Sequence, residues 1–438
     1  MSEPFALCAT QAIDALLANH VSALELTQSC LSRIAGSAQH SSAFSYLDST
    51  AALSSAAASD QRRARGLALH PLDGIPCGVS DSIAVQGWPL VAGLATRKRS
   101  FAQEDAHCIA KLRRAGAVIL GKLQVGEGGF GRDAHGGTGA SESARAVVSG
   151  LCALAIGTDT LGSLRVPAAW SGAAAFKPSF ARVSQRGLIS VSHRFDQAGP
   201  IARKVADLSV VFQQISGVDA LDPYSRTVPL HHIERRPQHL TIGVVSDMEA
   251  HGVSAEIIAL YERTMTRLAG LLPRREIIGF NDFDFARKRR SARLLCAAEL
   301  AVNHADDLRD QPENFSVDMR AFIATASGAS AHDLVQAEYC LDLARVKARR
   351  VFGSIDVLLM PTTASVAPII DTAASDHSFD FASFADFAGL PALTLCMGET
   401  SAAKPAGLQL IGPRGSDLQL LALGECIEDL LGESIDFA

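Results

Sequence analysis

Ser163 closes the run Ala155-Ile156-Gly157-Thr158-Asp159-Thr160-Leu161-Gly162-Ser163, in which a turn of small residues follows an apolar segment. A serine so placed is suited to nucleophilic attack. Consecutive backbone N–H groups near such a turn can converge on an oxyanion developing beside it. The spacing is not that of the GxSxG elbow, because the second glycine is missing. Taken alone, a Gly-Ser pair is also an ordinary turn. A second cluster lies upstream, with seven glycines between Gly126 and Gly139. Gly126, Gly128 and Gly131 formally satisfy GxGxxG behind the apolar run Ala117–Leu120. A dinucleotide site also needs a helix opening at the third glycine and an acidic residue about 20 positions on. Asp133, His135 and further glycines follow instead, so a backbone drawn close to a bound ligand explains the glycines better.

No HExxH, paired-histidine or carboxylate cluster offers a metal site, and neither metal nor cofactor is expected. The nine cysteines are dispersed without a CxxC pair, which suggests neither a disulfide framework nor structural zinc and fits reduced cytosol. Cys77 reads as a small buried residue. His70 and His193 flank conspicuous motifs, and Lys122 and Lys177 read as structural. Asp159 and Arg165 look like partners that fix the Ser163 turn.

Longer motifs tie these pieces together. They are His70-Pro71-Leu72-Asp73-Gly74-Ile75-Pro76 continuing into Val79-Ser80-Asp81-Ser82-Ile83, Ala115–Lys122, and Gly157–Ala169. Phe176-Lys177-Pro178-Ser179, Arg186-Gly187-Leu188-Ile189, Gly199-Pro200, Gly389-Leu390-Pro391-Ala392 and Gly407–Gly412 follow. With these motifs in this order, the chain resembles the amidase-signature family over nearly its whole length. The resemblance implies Ser-nucleophile hydrolysis of amide C–N bonds. A buried neutral lysine relays a proton through a bridging serine to the nucleophile, and backbone amides form the oxyanion hole. It places Ser163 at the nucleophile and Thr160, Leu161 and Gly162 at the oxyanion turn.

Two of the three triad positions depart from that pattern. The family's lysine falls on Ser80, and its bridging serine, counted back from Ser163 without gaps, falls on Gly139. Leu161 stands where the family has glycine. A serine hydroxyl is a poor nucleophile near neutral pH without a base. A lysine can be that base because burial holds it neutral, and Ser80 cannot. Losing a general base costs about 10²–10⁴ in rate. His135, with an unperturbed pKa of about 6.5, is the candidate surrogate base, against a packing or surface role. Two readings stand: an amidase with impaired or rebuilt chemistry, or a non-catalytic pseudoamidase that binds a small amide-like molecule or serves as a partner subunit. Either is compatible with a homo-oligomer.

Positioning such a site requires strands that alternate with helices. The first 65 residues read as helical, with Ser22 as an N-cap and Gly66 closing an Ala-rich helix. Patterning predicts strands at Gly74–Pro76, Ala117–Leu120, Leu240–Val245 and Ile355–Met360. It predicts helices over Asp105–Ala115, Val205–Ile215 and Ile257–Leu271. The expected fold is α/β, a mixed β-sheet sandwiched between α-helices as one domain. N-terminal helices (1–65) precede the signature core (66–217), a helix-rich insertion (218–350) and a C-terminal return to the sheet (351–438). The 438 residues carry 40 Lys+Arg against 46 Asp+Glu, a net of −6, so no basic stripe points to nucleic acid. The basic runs at 62–65 and 287–290 read as solvated helix faces. No apolar stretch reaches the roughly 18 residues of a membrane span, nor does the N-terminus read as a signal peptide. A cytoplasmic protein is expected.

Overall fold

A computed structural model describes residues 3–129, 142–231, 236–368 and 377–432. Its centre is one mixed sheet of eleven strands in the order β1-β3-β2-β4-β6-β5-β10-β11-β9-β7-β8. In chain order these are β1 Phe44–Leu47, β2 Pro76–Ser80, β3 Val118–Leu123, β4 Leu154–Asp159, β5 Ala174–Lys177 and β6 Gln197–Ala202. Then come β7 Thr241–Val245, β8 Arg274–Ile278, β9 Val357–Pro361, β10 Ala392–Glu399 and β11 Pro405–Ile411. β3, β2 and β4 run parallel, as do β9, β7 and β8. The strands between these triplets pair antiparallel.

Every residue of β2, β3, β5, β6 and β9 is buried. A strand buried on both sides needs cover on both faces, and helices provide it. Val205–Ile215 and Asp417–Leu431 pack on β5, β6 and β10, while Arg165–Ser171 packs on β5, β10 and β11. The edge strand β8 is mostly exposed and carries Arg274, Arg275 and Glu276, charges that blunt an open edge.

The local signals act as the patterning predicts. Ser22 Oγ accepts the Glu25 N–H while Glu25 returns a bond to the Ser22 N–H, closing a capping box ahead of Ala23–Ala35. Gly66, at φ +67°, ends the Ala-rich helix Ser49–Ala64. Two features differ from expectation. Residues 1–65 are not all helical: Phe44–Leu47 pairs antiparallel with β3, because a four-residue edge strand is too short to show a period. The segment 218–350, expected as a helix-rich insertion, contributes β7, anticipated at Leu240–Val245, and also β8, which patterning does not predict, to the same sheet.

Candidate functional site

β2 and β4 are parallel neighbours in the register Val79↔Ile156, and this pairing builds the site. Ser80 ends β2, and Ser82, two residues on, points the same way. Thr158 lies near the end of β4. The Ser80 and Ser82 hydroxyls meet at 2.9 Å, and Ser82 Oγ lies 3.3 Å from Thr158 Oγ1. Ser80 and Ser82 are buried.

After β4 the chain turns sharply. Leu161 and Gly162 both take positive φ, +56° and +100°. For leucine the left-handed region costs roughly 1–2 kcal/mol. A Cβ added to Gly162 would lie 2.6 Å from the Ala382 Cβ, so the turn is pressed against the helix Asp380–Ala388. Ser163 Oγ then accepts the Thr160 N–H at 2.8 Å and donates to the Thr158 carbonyl at 3.2 Å. Of the three N–H groups read as an oxyanion turn, Thr160's is thus directed at Ser163. Gly162's donates to Asp159 Oδ1 at 2.9 Å. Leu161's meets no acceptor among the described residues.

A buried ion network fixes the turn from below. Arg165 donates to Asp159 through Nε and Nη2, at 2.8 and 2.9 Å. It also reaches Asp386 at 2.6 Å and the Ala382 carbonyl at 2.8 Å. Burial raises the Asp159 carboxyl, but the Arg165 charge and hydrogen bonds outweigh it and hold the group below its usual range. Asp386 is pushed up to about 7 by burial and then by the neighbouring Asp159 charge. From the side, Asp196 accepts from Thr160 Oγ1 at 2.6 Å, Ser190 Oγ at 2.8 Å and the Val191 N–H at 2.8 Å. Burial pushes its carboxyl up to about 6.

The other residues singled out in the sequence lie apart from Ser163 Oγ. Lys122 is buried with its Nζ 3.3 Å from Asp81 Oδ1, and burial lowers its pKa against the pull of that carboxylate. Lys177 donates to the Pro178 and Leu390 carbonyls, and burial brings it down to about 8. His70 accepts the Leu72 N–H, and His193 stacks on Tyr224. The Cys77 thiol is buried and pushed well above its usual range by desolvation. His135 and Gly139 lie outside the described residues. Where the glycine-rich stretch begins, Glu127 accepts the Ser316 N–H at 2.8 Å.

Ser82, Thr158 and Asp196 were not singled out in the sequence. Ser82 had a signal in its spacing from Ser80. Thr158 and Asp196 had none, because only the pairing of β4 with β2 and β6 brings them to the turn.

A family model for amidases matches residues 25–140 and 136–421. The chain belongs to the amidase family. It is 31% identical to the A subunit of the glutamyl-tRNA(Gln) amidotransferase from Chloroflexus aggregans, over 98% of this chain and 97% of that protein. It is 28% identical to the putative amidase AmiD of Mycobacterium tuberculosis, over 97% and 94%. A solved structure is similar with a TM-score of 0.88 and 25% identity, over 98% of this chain and 99% of that one. It is the inhibitor-bound form of a vestigial protein complex tied to the evolutionary origins of an s-triazine catabolic enzyme. A crystal structure of an amidase aligns with a TM-score of 0.85 and 26% identity, over 97% and 99%. The mixed sheet and its helices are therefore the amidase-signature α/β fold.

Proposed function

We propose that this amidase-family chain keeps the serine turn of an amide hydrolase but lacks the base that would drive it, so that hydrolysis is impaired or absent. The observation that carries the reading is the environment of Ser163 Oγ. Its proton is directed at a backbone carbonyl, and its lone pair takes a backbone N–H. Neither group accepts a proton near neutral pH. Among the described residues, the hydroxyls of Ser80, Ser82 and Thr158 follow one another near the turn, and none of them does the work of a neutral amine. Ser163 is the nucleophile position, Ser80 replaces the lysine, and Gly139 replaces the bridging serine. Leu161 offers the uncommitted N–H of the turn.

What such a site retains is binding. A small amide-like molecule could take the Leu161 N–H through its carbonyl oxygen. The partner-subunit reading draws support from the relative that is itself one chain of an amidotransferase. A small-amide panel tests the proposal, with turnover and binding followed in parallel. Binding with little or no turnover is the expected result, and turnover at rates typical of amidases contradicts it.

A further inference from the structure

The helix Phe285–Asn303 belongs to the segment 218–350, outside the motifs that build the Ser163 turn. Asp284 caps it by accepting the Arg287 N–H. It buries Ala292, Cys296 and Leu300, and the 3.6-residue period sets Glu299 and Asn303 on that same face. Both reach the loop Ser190–His193. Glu299 accepts from the Ser192 hydroxyl and, at 2.8 Å, from the His193 N–H. Asn303 Nδ2 donates to the Ser190 carbonyl at 3.1 Å.

This loop lies outside strand and helix, so its backbone donors depend on side chains. Its inner side belongs to Asp196. Oδ2 of that carboxyl accepts the Ser190 hydroxyl and the Val191 N–H, each at 2.8 Å, and the Ser192 N–H at 3.2 Å. Ser192 is therefore shared, its N–H given to Asp196 and its hydroxyl to Glu299. Burial, and then the Asp196 and Glu299 charges, raise the thiol of Cys296, so this helix feels both carboxylates. Gln185 Nε2 adds support through the His193 and Asp196 carbonyls. The other oxygen of Asp196 takes the Thr160 hydroxyl at 2.6 Å, and Thr160 aims its N–H at Ser163 Oγ.

We infer that Glu299 is a positioning residue for the Ser163 turn. It holds the loop Ser190–His193 against Asp196, and Asp196, through the Thr160 hydroxyl, fixes the N–H that Thr160 gives to Ser163. Without Glu299 the Ser192 hydroxyl and the His193 N–H lose their acceptor. The loop then holds its three donors less firmly on Asp196, and the Thr160 end of the turn loosens. The inference concerns the shape of the turn and is independent of whether Ser163 is active.

Native-state amide exchange on the full chain, read by NMR at the N–H of position 160, tests it. Glu299→Ala should speed that exchange about tenfold, as loss of a hydrogen bond to a charged group does, while the amides of β7 keep their rates. The effect should require the Thr160 hydroxyl. In a Thr160→Ser background, which keeps a hydroxyl for Asp196, Glu299→Ala should still speed exchange at position 160. In a Thr160→Val background it should not. Glu299→Gln retains one acceptor oxygen and should give an intermediate rate; it replaces Glu299→Ala if that variant does not fold. Three outcomes overturn the inference: exchange at position 160 that neither variant changes, acceleration spread equally to β7, or the same acceleration with and without the hydroxyl at position 160.

Discussion

The Ser80 hydroxyl meets the Ser82 hydroxyl at 2.9 Å, in the buried position where we propose that the family's amine is missing. From Ser82 the contact passes to Thr158 Oγ1 at 3.3 Å, and the carbonyl of the same Thr158 receives the Ser163 proton. Thr158 Oγ1 and that carbonyl are different atoms, so the run of hydroxyls stops at Thr158, short of Ser163, and it contains no titratable group. Hydroxyls can pass a hydrogen bond along such a run, but none of them can keep a proton near neutral pH.

Restoring the amine should restore chemistry. Ser80→Lys combined with Gly139→Ser is expected to raise turnover of a small amide by about 10²-fold or more, the range a general base supplies. Ser80→Lys alone should do less and should lower stability, since it places an ammonium in a buried site. The check is steady-state amide hydrolysis beside a urea melt. A folded double variant without turnover would mean that Leu161 or the pocket also blocks chemistry.

Leu161 sets two effects against each other. Leu161→Gly relieves left-handed strain worth roughly 1–2 kcal/mol. It also removes a leucine that packs in the main core, whose burial is worth about 1.5–3 kcal/mol, and it adds about 0.5–1 kcal/mol of backbone entropy cost. Burial and entropy together outweigh strain, so a net loss of about 1 kcal/mol is expected in the urea-unfolding free energy. A stabilised variant would mean that the strain is the larger quantity.

Arg165 compensates two fully buried carboxylates, Asp159 and Asp386. Arg165→Met leaves both without their cation and should cost about 3–5 kcal/mol, the loss seen when one partner of a buried pair is removed. Because Asp159 also holds the Gly162 N–H, the Ser163 turn should loosen with it. Chemical denaturation measures the first effect. Amide exchange at Gly162 measures the second.

Asp196 makes stability depend on pH. Its folded pKa, pushed up to about 6 by burial, lies above the unfolded value of about 3.9. Between those values the folded chain holds a proton that the unfolded chain has released. The stabilisation from this group is therefore present at the acid end and lost as pH rises through about 6, amounting to about 3 kcal/mol. Asp196→Asn has no such proton. Relative to that variant, the wild type should lose about 2 kcal/mol of it between about pH 4 and about pH 7 in parallel urea titrations. Equal slopes for the two proteins would remove Asp196 as the cause.

Much of the frame was legible before any coordinates. Val205–Ile215 was read as a helix from its 3.6-residue period and is one with the same ends. The apolar run predicts a strand over Ile355–Met360, and β9 spans Val357–Pro361. What escaped depends on partners distant in the chain. Phe44–Leu47 becomes a strand because β3 offers it an edge. Asp196 reaches Thr160 because β6 lies antiparallel to β4, in the register Asp159↔Gln197. The substitutions at Ser80 and Leu161 could be read as residue types, but not their consequences. That Ser80 would find Ser82, or that Leu161 would accept a left-handed backbone, follows from packing that no local pattern encodes.

The most direct test asks whether the Ser163 hydroxyl attacks an electrophile. The chain is incubated with a fluorophosphonate near neutral pH, and modification of the Ser163 peptide is followed over time by mass spectrometry. Labelling no faster than that of other accessible serines is the predicted result. Rapid, stoichiometric modification of Ser163 would contradict the account, because it would require a base that the hydroxyl run does not contain.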